Sequence, residues 1–416
     1  MFSAVLFAFY FTILLFLIYR ITQKRIYPFS GWQVIAIFSM KILLGCLYGF
    51  IFLKYYNGDD TWNFFNDSLS EYQKLIHKPG VFLTDLLPKT SYGNTPSFRE
   101  GIHFYLMDLE YWMMIKLLAI FNIFSRGNYY IDVLFFNFVT CWGSFLLFKL
   151  LISVLPEKKN AFFVCIFFIP SICFWLSGIR GEGLLFLFIV LLLYYTIKWF
   201  EERKIVYLMW IILGFAGFLI FRALFLLIFL PAFLSFIISK NGKYRPIYYY
   251  LLTYTFCVFI FFGSMLLFPD KNLATPVVKE QASFFVLHGN TRFGLDTLKP
   301  SIGSFIKILP QAIANTFARP FVWEAKGALQ WITAIEIIAS WIIFGLLFIR
   351  PQKKSSELFT DPLLLLFIFY GISQILIIGF IVPFPGAIVR YKIIPELLLL
   401  IVLVAMIDWK LNYKNK

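Results

Sequence analysis

Two adjacent carboxylates stand at the end of a long apolar run, in Gly58-Asp59-Asp60-Thr61-Trp62-Asn63. Charge at the mouth of a membrane span is costly, so it implies binding or reaction chemistry at the water boundary. A carboxylate there can take a proton from an attacking hydroxyl. Four arginines lie in comparable places. Arg180 sits with Glu182 in Ser177-Gly-Ile-Arg-Gly-Glu-Gly183, and Arg222 stands between two apolar runs with almost no loop. Arg319 and Glu324 bracket Pro-Phe-Val-Trp, and Arg390, Tyr391 and Lys392 follow Gly386. Fork-shaped guanidinium donors suit phosphate. Arg180, Arg222, Arg319 and Arg390, with Lys392, are therefore the candidate anion holders, with Asp59 or Asp60 as the base.

Plainer roles compete for several of these residues. Arg222 could snorkel to the interface. Arg180 and Glu182 could pair across their turn. Glu336, inside a late apolar run, is expected to find a structural partner such as Arg319. Asp59 and Asp60 could simply cap a helix. Lys149 can reach the edge of its span, whereas Lys41 needs a partner that the sequence does not name. His77, His103 and His288 share no metal-ligand spacing. No metal site and no cofactor is firmly implied, although a divalent cation at Asp59 and Asp60 would suit two neighbouring carboxylates. No glycine-rich nucleotide loop is present, so ATP is not suggested.

The elements that carry these residues are membrane helices. The 416-residue chain is 61% hydrophobic and 14% charged, with a mean hydropathy of +0.81. A soluble domain has too little polar surface to cover that much apolar matter. The predicted class is all-α, a polytopic transmembrane helical bundle forming a single transmembrane domain over 1–416. Runs near 3–19, 32–54, 131–154, 161–177, 183–200, 205–220, 223–239, 247–268, 329–349, 362–382 and 393–408 give about eleven spans. The first run lacks a basic leader and a cleavage site, so it reads as a retained span.

The net charge of +15 follows topology rather than nucleic-acid binding. The clusters Arg20/Lys24/Arg25, Lys158/Lys159, Arg203/Lys204, Lys240/Lys243/Arg245, Arg350/Lys353/Lys354 and Lys410/Lys414/Lys416 fall on alternate connections. The positive-inside rule puts them in the cytoplasm, with the N-terminus out and the C-terminus in. The long segments 55–130 and 269–328 then face outward, as do the short turns at Ser177–Glu182, Arg222 and Gly386–Lys392. Residues 109–124 read as a helix lying in the outer interface, with a span of marginal length as the alternative, and 303–318 reads as interfacial too. The five cysteines sit in apolar runs and read as small core residues.

Taken together, these residues resemble the GT-C glycosyltransferases, polytopic enzymes that use polyprenyl-phosphate sugars, including protein mannosyltransferase-like and aminoarabinose-transferase-like members. Gly58-Asp59-Asp60-Thr61-Trp62 matches the position and type of that family's acidic motif in the first long outer loop. Arg390-Tyr391 followed by Pro395 is similar to a late Arg-Tyr pair in the family. The resemblance implies sugar transfer from a lipid-linked donor to a glycan, lipid or protein acceptor on the periplasmic face of a bacterial cytoplasmic membrane. Either Asp59 or Asp60 would be the base, and the choice stays open. In contrast to the family's usual pattern, this N-terminus is expected outside and the acidic loop follows span two. A second resemblance is to Wzy-type polysaccharide polymerases, carried by Gly58-Asp-Asp-Thr61 and Gly178-Ile-Arg-Gly181. A lipid-linked glycan transporter or flippase, or a non-catalytic assembly subunit, are the remaining alternatives. The first would need polar residues at midplane depth in several spans.

Overall fold

The computed structural model describes residues 2–24, 27–86, 98–268, 272–287, 291–352 and 360–409. His288, the side chain of His103, and Arg25, Lys353, Lys354, Lys410, Lys414 and Lys416 lie outside what is described. The described residues are overwhelmingly helical and contain no strand; Pro351 and Ile407 form a single isolated bridge. In order, the helices are α1 (Phe2–Lys24), α2 (Gly31–Tyr55), α3 (Asp59–His77), α4 (Pro79–Thr84), α5 (Phe98–Ser125), α6 (Tyr129–Val154), α7 (Lys159–Phe167), α8 (Pro170–Trp175), α9 (Gly181–Glu202) and α10 (Ile205–Lys240). They continue with α11 (Pro246–Leu267), α12 (Thr275–Val286), α13 (Ile302–Ile313), α14 (Ala328–Ile349), α15 (Pro362–Ile381) and α16 (Pro385–Met406).

Local chemistry starts many of them. Ser30 and Gln33 cap each other's backbone at the head of α2. Asn128 caps α6, and Asp361 caps α15 with Pro362 at its first position. Eight helices among the described residues are long and apolar enough to cross a bilayer: α1, α2, α6, α9, α10, α11, α14 and α15.

The differences from the eleven predicted runs have identifiable causes. The run 161–177 is two short helices, α7 and α8, broken before Pro170, because proline lacks an N–H and disfavours α geometry in the residue ahead of it. The runs 205–220 and 223–239 both fall in α10, whose backbone is non-helical at Arg222 (φ −156°, ψ 74°). The last run begins earlier than expected, at Pro385. The predicted turn at Gly386–Lys392 is instead the opening of α16, which carries Arg390, Lys392 and Glu396. The segment around 109–124 is the end of the longer α5, and 303–318 is α13 followed by a π-helical turn, Ala314–Ala318.

The chain divides into two compact units, Met1–Pro156 with Cys173–Ala223, and Glu157–Ile172 with Leu224–Lys416. In the first, α6 is central. It packs on α1, α2, α5 and α9, and α3 lies along α5. Burial covers 78% of the most apolar window of α6 and 72% of that of α9, against 11% for α1, so α1 keeps most of its apolar surface outward, as a lipid-facing helix does. In the second unit, α15 and α16 are joined by a three-residue link, 382–384, and form the core, with α7, α11, α12, α13 and α14 packed around them.

Candidate functional site

The site is assembled inside the first unit, where α2 ends and α3 begins. Asn57, Gly58 and Asp59 have φ of 52°, 93° and 47°. Three consecutive residues with positive φ are unusual, and a side chain at Gly58 would be strained there. Asn and Asp tolerate this region better than most residues. Neighbouring residues on a regular helix point about 100° apart, from 3.6 residues per turn. The positive φ at Asp59 lets both carboxylates reach one guanidinium instead. Trp62 secures the start of α3. Its indole N–H donates to Gly49 O at 2.9 Å, and its ring stacks on Tyr129 at 4.1 Å between centroids. Thr61 Oγ1 and Tyr129 Oη are 2.8 Å apart.

The shared guanidinium is Arg180, in extended backbone at the N-cap of α9. Its Nη1 donates to Asp59 Oδ2 at 2.7 Å and to Tyr48 Oη at 3.0 Å, and its Nη2 donates to Asp60 Oδ2. Glu182 Oε2 lies 3.8 Å from Nε. Glu182 also faces Arg222, whose Nη2 is 3.5 Å from Oε1, and Arg222 Nη1 donates to both oxygens of Glu110 on α5. A ladder of charge therefore runs Asp59 and Asp60, Arg180, Glu182, Arg222, Glu110. The side chain of Arg180 is only 3% exposed, whereas Asp59 is 36% and Asp60 51% exposed. The ladder thus has a buried cationic root and two carboxylates that open outward. Among the described residues, its four carboxylates outnumber its two guanidiniums.

Burial works against the charge of Arg180. Tyr48, Glu182, Asp60 and Asp59 outweigh it and keep the guanidinium protonated well beyond the ordinary arginine range. For Glu110 burial dominates and raises its carboxyl above the usual value, despite Arg222 beside it. Between the ordinary glutamate range and that raised value, the folded chain holds a proton that the unfolded chain has released. Stability must therefore fall as pH rises through that window. Glu110→Gln is expected to flatten this slope, read as the melting temperature of detergent-solubilised protein across the acidic to neutral range. An unchanged slope would remove Glu110 as its source.

Asp59, Asp60, Trp62, Arg180, Glu182 and Arg222 are brought together, and α5 adds Glu110 while α2 adds Tyr48. Neither addition was anticipated. The available signals were faint: a glutamate two residues after Asp108 at the start of the apolar stretch of α5, and a tyrosine two turns before the end of α2.

The other candidates belong to the second unit and make their described contacts there. Arg319 Nε donates to Glu324 at 3.0 and 3.1 Å, Nη1 donates to Asn315 Oδ1 at 3.2 Å, and the guanidinium lies 4.4 Å over Phe293. Arg319 holds Glu324 in its charged form. Burial opposes this, and the Arg319 and Phe321 N–H bonds prevail, leaving the carboxyl below its usual range. Glu336 does not pair with Arg319. It accepts from the Ser171 N–H at 2.8 Å, a first-turn donor of α8 left without an intrahelical acceptor. Arg390 Nη2 donates to Tyr391 Oη at 2.9 Å, and Lys392 Nζ donates to Thr316 O at 3.0 Å with Glu396 3.5 Å away.

Among the described residues, no three His, Cys, Asp or Glu side chains gather as a metal site. No protein-family model, no curated protein and no solved structure matches the chain.

Proposed function

We propose that this chain is a membrane glycosyltransferase that moves a sugar from a polyprenyl-phosphate-linked donor to an acceptor hydroxyl on the extracytoplasmic face. The observation that carries the reading is the pair Asp59 and Asp60, part-exposed at the end of an apolar helix and held by one buried arginine. A base must be open to solvent and to an acceptor, and the exposure of these carboxylates, with Arg180 holding them from behind, supports that role. In the reaction, the acceptor oxygen bonds to the anomeric carbon as the bond from that carbon to the phosphate oxygen breaks. The acceptor proton passes to Asp59 or Asp60, and the lipid phosphate leaves with the bonding electrons. Because Arg180 is already engaged by carboxylates, an incoming phosphate would have to displace one of them. That exchange would free a carboxylate for the proton transfer; Asp59 and Asp60 would be the residues to hold a divalent cation, which would supply charge stabilisation for the leaving phosphate.

A specific observation favours a second form of this chemistry. The two stretches similar to Wzy-type polymerases, Gly58-Asp-Asp-Thr61 and Gly178-Ile-Arg-Gly181, are the ones that meet through Asp59, Asp60 and Arg180. The test incubates membranes containing the protein with radiolabelled polyprenyl-phosphate hexose and, separately, polyprenyl-diphosphate oligosaccharide. Single additions support transfer, and a ladder of products supports polymerisation. Movement of labelled lipid across vesicles with no new glycosidic bond would overturn both in favour of a flippase.

A further inference from the structure

We infer that Lys41 is a positioning residue that sets the register of the Arg180 loop, and that it does so through one face of α2. This rests on the reading of Arg180 and the paired aspartates as the working site. Lys41 lies inside an apolar span, and its residue is only 6% exposed. A buried ammonium in such a place is expensive and calls for a role. Its described partners are neutral: Nζ donates to Leu176 O at 2.9 Å and approaches Ser177 Oγ at 3.5 Å. Both belong to the segment that leads from α8 into Arg180.

Residues 41, 45 and 48 share a helix face by their spacing, and all three touch that segment in order. Lys41 holds Leu176. Gly45 lies so close to Ser177 that a Cβ on it would stand 2.6 Å from the Ser177 carbonyl oxygen. The ring of Tyr48 lies against Gly178, and its hydroxyl accepts from Arg180. Asn137 on α6 also donates to Ser177 O, at 2.8 Å. The same helix α2 then runs on to Gly58, Asp59 and Asp60. It thereby fixes both partners of the central ion pairs, the aspartates by its end and the arginine by its flank. Only two residues separate Ser177 from Arg180, so a slip at Leu176 or Ser177 moves the guanidinium off the carboxylates.

The test is arginine modification by phenylglyoxal in native membranes, mapped by peptide mass spectrometry, on wild type, Lys41→Met, Lys41→Arg and Gly45→Ala. Arg180 is buried and protected in the wild type. In Lys41→Met it should react about tenfold faster through easier local opening, while Arg319 in the other unit stays unchanged. Lys41→Arg, which keeps a charged donor, should restore protection. If Lys41→Met fails to accumulate, Gly45→Ala perturbs the same face and should expose Arg180 likewise. Unchanged protection of Arg180 in the variants overturns the inference, and so does an equal rise at Arg319, which would mean general loosening. The labelling reads the loop whether or not the wild type transfers sugar, so a failure of catalysis and a failure of positioning are separate results. Where transfer is measured, it should fall in Lys41→Met and recover in Lys41→Arg.

Discussion

Arg180→Met should destabilise the folded chain by about 3 kcal/mol, the lower end of the cost of breaking a buried ion pair. The reasoning is one of uncompensated charge. Glu182, buried beside Arg180, would lose the Arg180 guanidinium and keep Arg222 at 3.5 Å, and Tyr48 would lose its donor. Asp59 and Asp60 are exposed enough to turn to water, so they add little and the loss rises no further. Denaturant unfolding in detergent measures it. Adding Glu182→Gln to Arg180→Met should recover part of the loss, because the buried carboxylate that has lost part of its compensating charge is then neutral. Arg180→Lys should fall between, since an ammonium is a point charge that cannot span both aspartates as a planar fork does. A loss below about 1 kcal/mol for Arg180→Met, the range of surface pairs, would show that the ladder does not hold this end of the unit together.

Asp59→Asn and Asp60→Asn should act in the opposite manner, with little effect on folding and a large one on transfer. Asparagine is nearly isosteric and still offers a carbonyl oxygen to Arg180. Only the proton-accepting charge is removed. The variant at the true base should lose about 10²- to 10⁴-fold in turnover, the usual contribution of a positioned general base. The other should lose less, because its task is to share Arg180. Comparing the two substitutions therefore separates residues that the sequence leaves equivalent. Initial rates with a labelled lipid-linked sugar, normalised to folded protein, provide the measurement. Full activity in both single variants and in the double variant would end the carboxylate mechanism.

Much of this arrangement is written locally. The apolar runs that become α1, α2, α6, α9, α11, α14 and α15 need only hydropathy and length to be seen. Ser30, Asn128 and Asp361 mark helix starts by chemistry that acts within three residues. The charges at Asp59, Asp60, Arg180, Glu182 and Arg222 are conspicuous because each interrupts or borders an apolar run. The limits of that legibility are equally local in origin. The break before Pro170 turns one expected span into two short helices. The helix-compatible stretch after Pro385 turns an expected loop into the first turns of α16.

Composition and the length of the apolar runs alone therefore determined that this is an all-α chain with several helices fit to cross a membrane, and they singled out the charges that need an explanation. Which charge meets which was decided by packing. Arg180 finds Asp59 and Asp60 some 120 residues away, Glu110 reaches Arg222 from a helix 112 residues distant, and Glu336 turns to a backbone N–H at Ser171 rather than to Arg319. Hydropathy and capping act over a few residues and are legible in the order of the chain. Ion pairs in a low-dielectric interior depend on which helix faces are pressed together, and that is settled only when the helices assemble.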